Sequence, residues 1–160
     1  MTDIDRETLH TLRVGVLGVF VAGALGTAVE LLLVDHFEDF RQWIPLVLIT
    51  ASLAALGWRA LAHGRPSLRL FRALMLLFIA SGFVGILLHY RANVEFEREV
   101  SPALSGARFF LKAIRGTAPP SLAPAGMCGL GALGWLYTFR HPALGHAHRI
   151  PATQATGDVR

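Results

Sequence analysis

The sequence predicts an all-α integral membrane protein. We expect a four-transmembrane-helix bundle, N-in/C-in, with an extracytoplasmic amphipathic helix between spans 3 and 4. Residues 14–34 form a 21-residue, almost wholly apolar run, and three more apolar runs follow. Because a helix rises about 1.5 Å per residue, roughly 20 apolar residues cross a hydrocarbon core about 30 Å thick. The 160 residues are 53% hydrophobic, so one domain, residues 1–142, uses most of the chain, and residues 143–160 are expected to be a flexible cytoplasmic tail.

The four predicted spans are residues 14–34, 44–61, 68–88 and 122–139. Short connections between the first three predict that they are antiparallel neighbours. Pro124 falls in the first turn of the fourth span, where proline is tolerated. A cleaved signal peptide is the competing interpretation of the N-terminus. Acidic residues in the first seven positions and an apolar run that continues past the small residues at 22–24 favour an uncleaved first span.

The connection between spans 3 and 4 contains a predicted helix of its own, over about residues 102–115. Ser101-Pro102 is typical of a helix start and Gly116 of a helix end. Its apolar residues recur at helical spacing on one face: Ala103, Leu104, Ala107, Phe110, Leu111 and Ile114. This helix is too short to span, so we expect it to lie in the interface plane or to cap the bundle.

Arginine asymmetry predicts the orientation. The 2–3 connection and its flanks carry only basic charges, at Arg59, Arg65, Arg69 and Arg72, whereas the 1–2 connection is mostly acidic, with Asp35, Glu38, Asp39 and a lone Arg41. The positive-inside rule therefore puts the 2–3 connection and both termini in the cytoplasm of a bacterial-type inner membrane. The basic residues of the predicted amphipathic helix then lie outside, contrary to the positive-inside rule.

The net charge of +4 and the isoelectric point near 10.2 would suggest nucleic-acid binding in a soluble protein. Here the arginines are better explained as topology signals, so we expect no nucleic-acid partner. The expected partners are the lipid bilayer and other transmembrane helices, from a second copy or a larger complex. Cys128 is the single cysteine of the sequence, which excludes an intrachain disulfide and a cysteine-rich metal site.

Polar residues at the outer ends of spans 1 and 3 are the candidate site for a metal or a proton relay: Glu30, His36, Asp39, His89, Asn93 and Glu97. If span 3 continues as a helix, the last three lie one turn apart on one face. Imidazoles and carboxylates from two helices could bind a divalent metal or relay protons. A structural network of solvated or paired residues is the favoured alternative, because no HExxH or CxxC spacing occurs. Haem is disfavoured, because no span carries a histidine near its middle.

Small residues at near-helical steps are candidate helix-packing positions: Gly18, Ala22, Gly26, Gly82, Gly85, Gly131 and Gly134. Packing within the bundle is the preferred interpretation, with the glycine-rich span 4 as the preferred surface for a partner helix.

The sequence contains no nucleophile–base pair and no phosphate-binding loop, and its motifs match no family securely. We therefore expect a non-enzymatic protein, acting as a homo-oligomer or as an accessory subunit of a larger membrane complex. The alternative is a metal-, ion- or proton-linked membrane protein that uses Glu30 and the outer His/carboxylate residues.

Overall fold

The computed structural model describes residues 2–116 and 123–144, and the regular structure in those ranges is all helical. The helices are α1 (Asp3–Leu33), α2 (Trp43–Ala62), α3 (Arg65–Val100), α4 (Gly106–Ile114) and α5 (Ala123–Thr138), with short 3-10 turns at Phe40–Gln42 and Pro142–Leu144. Within these ranges, three segments are long and apolar enough to cross a membrane: α1, Phe40–Ala62 and α3. The prediction of a helical, multi-pass membrane protein is confirmed at this level.

α1 is longer than the predicted first span because a capping box starts it early. The Thr2 hydroxyl accepts a hydrogen bond from the Asp5 amide at 3.2 Å, and the Asp5 carboxylate accepts one from the Thr2 amide at 2.8 Å. This reciprocal arrangement satisfies amide groups that have no partner within the helix. The apolar run located the span, and the cap adds the polar turns before it.

α3 is a single helix of 36 residues, about 54 Å long, and so extends well beyond a hydrocarbon core about 30 Å thick. Pro66 lies in its first turn, where its missing amide costs no hydrogen bond. The helix continues through residues 89–97, so the condition set by the sequence for a polar face beyond span 3 is met.

α5 corresponds to the fourth predicted span and is shorter than expected. It has 16 residues, about 24 Å, whereas a span needs about 20 residues. Residues 117–122, which include the predicted start of this span, lie outside the described residues, as does the tail from residue 145. That α5 crosses the membrane stays a prediction. It packs against both α1 and α3.

The helix predicted over residues 102–115 begins four residues later, at Gly106. Ser101 ends α3, and the Leu104 amide donates to the Ser101 carbonyl at 3.0 Å, which closes a turn across Pro102. Ser-Pro is equally typical of such a turn, and this explains the error. α4 packs on α3. Its expected apolar face is only partly covered, because Phe110 and Leu111 are each about half exposed.

The centre of the bundle is aromatic. The Phe20 ring of α1 lies 5.3 Å from Phe71 and 6.1 Å from Phe78 of α3, in edge-to-face contacts, and all three side chains are fully buried. α3 and α5 approach so closely that a Cβ atom added at Gly131 would lie 2.8 Å from the Met75 carbonyl oxygen. Close backbone approach of this kind is how transmembrane helices gain packing energy.

Candidate functional site

His36 and His89, predicted to approach from spans 1 and 3, do come together. His36 follows α1, and His89 lies on α3. Their rings are nearly parallel, at 15°, with centroids 6.5 Å apart, and both residues are partly buried. The pair places two potential metal ligands or proton acceptors near one another, and protonation of both would set like charges close together.

Glu97 lies two helical turns beyond His89 on the same face of α3 and has a different partner. Its side chain is only 7% exposed, and its carboxylate oxygen Oε2 lies 2.8 Å from Lys112 Nζ of α4. The contact is an ion pair without hydrogen-bond geometry, and the Lys112 ammonium also donates to Ser101 Oγ at 2.7 Å. The buried charge of Glu97 is therefore compensated by a lysine, which fixes α4 on α3.

Asn93 lies between these two features and is also buried, at 7% exposure. The chain after α4 covers it, because a Cβ atom added at Gly116 would lie 2.8 Å from the Asn93 side-chain carbon Cγ. Only a residue without a side chain fits this approach unless Asn93 moves. Glu97 therefore contacts α4, and Asn93 contacts Gly116, the second residue after α4.

Glu30 and Asp39 do not join this buried group. Glu30 is exposed in the last turn of α1, where its carboxylate can reach the membrane–water interface. Asp39 is exposed just before the 3-10 turn, and its amide donates to the Gln42 side chain at 3.0 Å. Within residues 2–116 and 123–144, no three His, Cys, Asp or Glu side chains are grouped closely enough to hold a metal ion.

The small residues proposed for helix packing divide into two sets. Four face neighbouring helices of the same chain, where an added Cβ would meet other atoms within about 3 Å: Gly82, Gly85, Gly131 and Gly134. On α1, by contrast, Gly18, Ala22 and Gly26 are all exposed, and an added Cβ at either glycine would meet nothing within 4 Å among the described residues. We call these three residues the open α1 face.

The open α1 face was visible in the sequence only as a four-residue step, since spacing cannot show which way a face points. Gly131 and Gly134 of α5, the helix favoured as a partner surface, are used inside the bundle. Lys112 was recognised only as one cation of an amphipathic helix, and its buried partner could not be identified from spacing. Comparison with protein-family models, with curated proteins and with solved structures gives no match for this chain.

Proposed function

We propose that this chain is a small, non-enzymatic inner-membrane protein that works by helix association, as a homo-oligomer or as an accessory subunit of a larger membrane complex. The open α1 face is the observation that carries this proposal. It is a small-xxx-small-xxx-small stripe, exposed along two helical turns, on a helix that is long and apolar enough to span a membrane.

In a helix interior glycine is less favourable than alanine by about 1 kcal/mol. Gly131 offsets this by permitting the α3–α5 contact, whereas Gly18 and Gly26 permit no close contact with the rest of the described chain. A partner helix seated on the open α1 face would gain the close backbone approach that such stripes allow.

A second copy of the chain fits this face without further assumptions. A small-residue stripe is self-complementary, because each helix supplies both the shallow surface and the backbone that fills it. Two copies related by a two-fold axis along the membrane normal would cross at Ala22. Flanking apolar side chains, among them Val19 and Leu25, are at least half exposed and would be covered at the edges of the contact.

The proposal is tested by placing large side chains on the open α1 face. In Gly18→Leu/Gly26→Leu the new Cβ atoms meet nothing within 4 Å among the described residues and both positions are exposed, so the fold should persist while the partner is held away. Light scattering of the purified protein in nonionic detergent and native electrophoresis of membrane extracts measure the assembled mass. Gly57→Leu is the matched control, since Gly57 of α2 is also open.

We expect a wild-type assembly that the double variant reduces to the monomer and the control leaves intact. Wild-type protein that migrates as a monomer in both measurements would overturn the proposal. Equal loss in the control would overturn the assignment to α1.

The proposed orientation, with both termini in the cytoplasm, has its own test. It rests on the basic residues of the 2–3 connection and the acidic 1–2 connection. Single cysteines at Arg65 and Glu38, in a Cys128→Ala background, would be exposed to an impermeant thiol reagent on intact cells. Labelling at position 38 alone is expected, and labelling at position 65 alone would reverse the orientation.

The His36–His89 pair keeps a second candidate function open, that of a metal-, ion- or proton-linked membrane protein. The stacked rings are the specific observation in its favour. Elemental analysis of wild type, His36→Ala and His89→Ala tests the metal form. Stoichiometric metal in wild type that is lost in both variants would support it, and metal-free wild type would exclude it.

A further inference from the structure

The end of the bundle opposite the His36–His89 pair gathers basic groups from three separate elements. Arg13 lies on α1, Arg59 near the end of α2, and His141 just after α5. The Arg13 side chain donates a hydrogen bond to the Arg140 carbonyl at 3.1 Å, which ties α1 to the end of α5. The positive charges of both arginines act on His141. We call Arg13, Arg59 and His141 the basic cluster.

Arg59 carries an unsatisfied donor. Its Nη1 nitrogen is buried and, within the described residues, has no hydrogen-bond partner. Leaving a buried charged donor unpaired is costly, and proteins satisfy such groups with a partner, water or a ligand. Arg59 as a whole is only partly exposed, and a ligand reaches Nη1 only if the guanidinium moves.

His141 presents a donor on the same cluster. Its ring nitrogen Nδ1 accepts a hydrogen bond from the Ala143 amide at 3.2 Å, so the proton of the neutral ring lies on Nε2. The ring packs edge-on against Tyr137, with centroids 5.4 Å apart. The pKa of His141 is lowered from its ordinary value, first by burial and then by the charges of Arg59 and Arg13. The ring therefore stays neutral near pH 7 and keeps its Nε2–H donor.

No counter-ion from the described residues neutralises this cluster. The Asp3 carboxylate pairs with Arg6 at 3.6 Å, and Asp5 is held in the cap of α1. Neither Arg13 nor Arg59 has a carboxylate within ion-pair distance in residues 2–116 and 123–144. At the other end of the bundle, by contrast, Glu97 compensates Lys112 directly.

We propose that Arg13, Arg59 and His141 bind a phosphate group. Guanidinium groups match the oxygens of phosphate with paired, charge-assisted hydrogen bonds, and the neutral imidazole adds a further donor. Two sources share this chemistry: the headgroup of an anionic phospholipid and free inorganic phosphate. Basic pockets between transmembrane helices are known sites for anionic headgroups. The inference is independent of the helix-association role proposed above.

The experiment uses the full chain in dodecyl maltoside micelles, which contain no phosphate. One arm adds inorganic phosphate against chloride at equal ionic strength. The other adds a few mole per cent of phosphatidylglycerol against diacylglycerol, which has the same tails without phosphate. Thermal midpoints are measured in both arms, and native mass spectrometry measures the lipid retained. Wild type, Arg59→Gln and Arg69→Gln are compared, Arg69 being an exposed arginine at the same end.

We expect one of the two phosphate sources to raise the wild-type midpoint, Arg69→Gln to behave as wild type, and Arg59→Gln to bind roughly 10- to 100-fold more weakly. Without ligand, Arg59→Gln should melt no lower than wild type, since it removes an unpaired buried charge. If Arg59→Gln fails to fold, Arg59→Lys should bind phosphate more weakly than wild type, because it keeps the charge but loses the paired donors of the guanidinium. No response of wild type to either source, or equal losses in Arg59→Gln and Arg69→Gln, would overturn the assignment.

Discussion

Replacing Gly131 with alanine should separate α3 from α5, which make the most extensive helix–helix contact among the described residues. The added Cβ would lie 2.8 Å from the Met75 carbonyl oxygen and 2.9 Å from the Ile79 amide nitrogen. Both are backbone atoms of a helix and cannot rotate away, so α5 must move by about 0.6 Å to reach the ordinary contact distance of 3.4 Å. Overpacking of this kind costs about 1–3 kcal/mol.

Gly129→Ala is the matched control for this substitution, two residues away on the same helix. An alanine Cβ there meets nothing within 4 Å, so the change should be neutral or stabilising by up to about 1 kcal/mol. Reversible unfolding in mixed micelles, followed by circular dichroism, measures both free energies. Equal stability of Gly131→Ala and Gly129→Ala would refute the close α3–α5 approach.

Two further substitutions test the ends of the bundle. Lys112→Met leaves the Glu97 carboxylate buried without its cation; because the lysine side chain is 45% exposed, we expect a loss of about 1–3 kcal/mol, less than for a fully buried pair. Hydrogen exchange over residues 106–114 should become faster in Lys112→Met, and adding Glu97→Gln should restore protection. Unchanged exchange in Lys112→Met would contradict the pairing. Because the pKa of His141 is lowered in the folded chain, the unfolded chain binds more protons below about pH 6.5. Stability should therefore be full above that pH and decline as pH falls toward the lowered pKa. Unfolding midpoints at pH 8 and pH 5 should differ less in His141→Gln than in wild type, and equal differences would contradict this origin.

Most of the fold prediction depended on the long apolar runs. They located α1, α2 and α3, because membrane-spanning length is a property of consecutive residues. The ends of the helices were less predictable where one sequence pattern is typical of two structures. Ser101-Pro102 is typical of a helix start, yet here it closes the turn after α3. The extension of α1 to Asp3 depends on its cap at Thr2, a local hydrogen-bond pattern that hydropathy does not detect.

The candidate sites also differ in how far the sequence predicts them. His36 and His89 could be expected to meet, because both follow apolar runs that end on the same predicted side. Arg13, Arg59 and His141 come from three elements with no shared spacing, so only the packed structure brings them together. The helical step at Gly18 and Gly26 was readable, but the side it faces depends on which neighbours α1 contacts.

Photo-crosslinking at position 22 tests helix association through the open α1 face most directly. A small diazirine-bearing residue replaces Ala22 in the full chain, and membranes are irradiated before extraction; position 57 on α2 is the control. We expect a protein adduct at position 22 and none at position 57. Its mass should be twice the 17.4 kDa of the chain for a second copy, or the summed mass for a distinct subunit. Lipid adducts alone at position 22, or equal protein adducts at both positions, would contradict it.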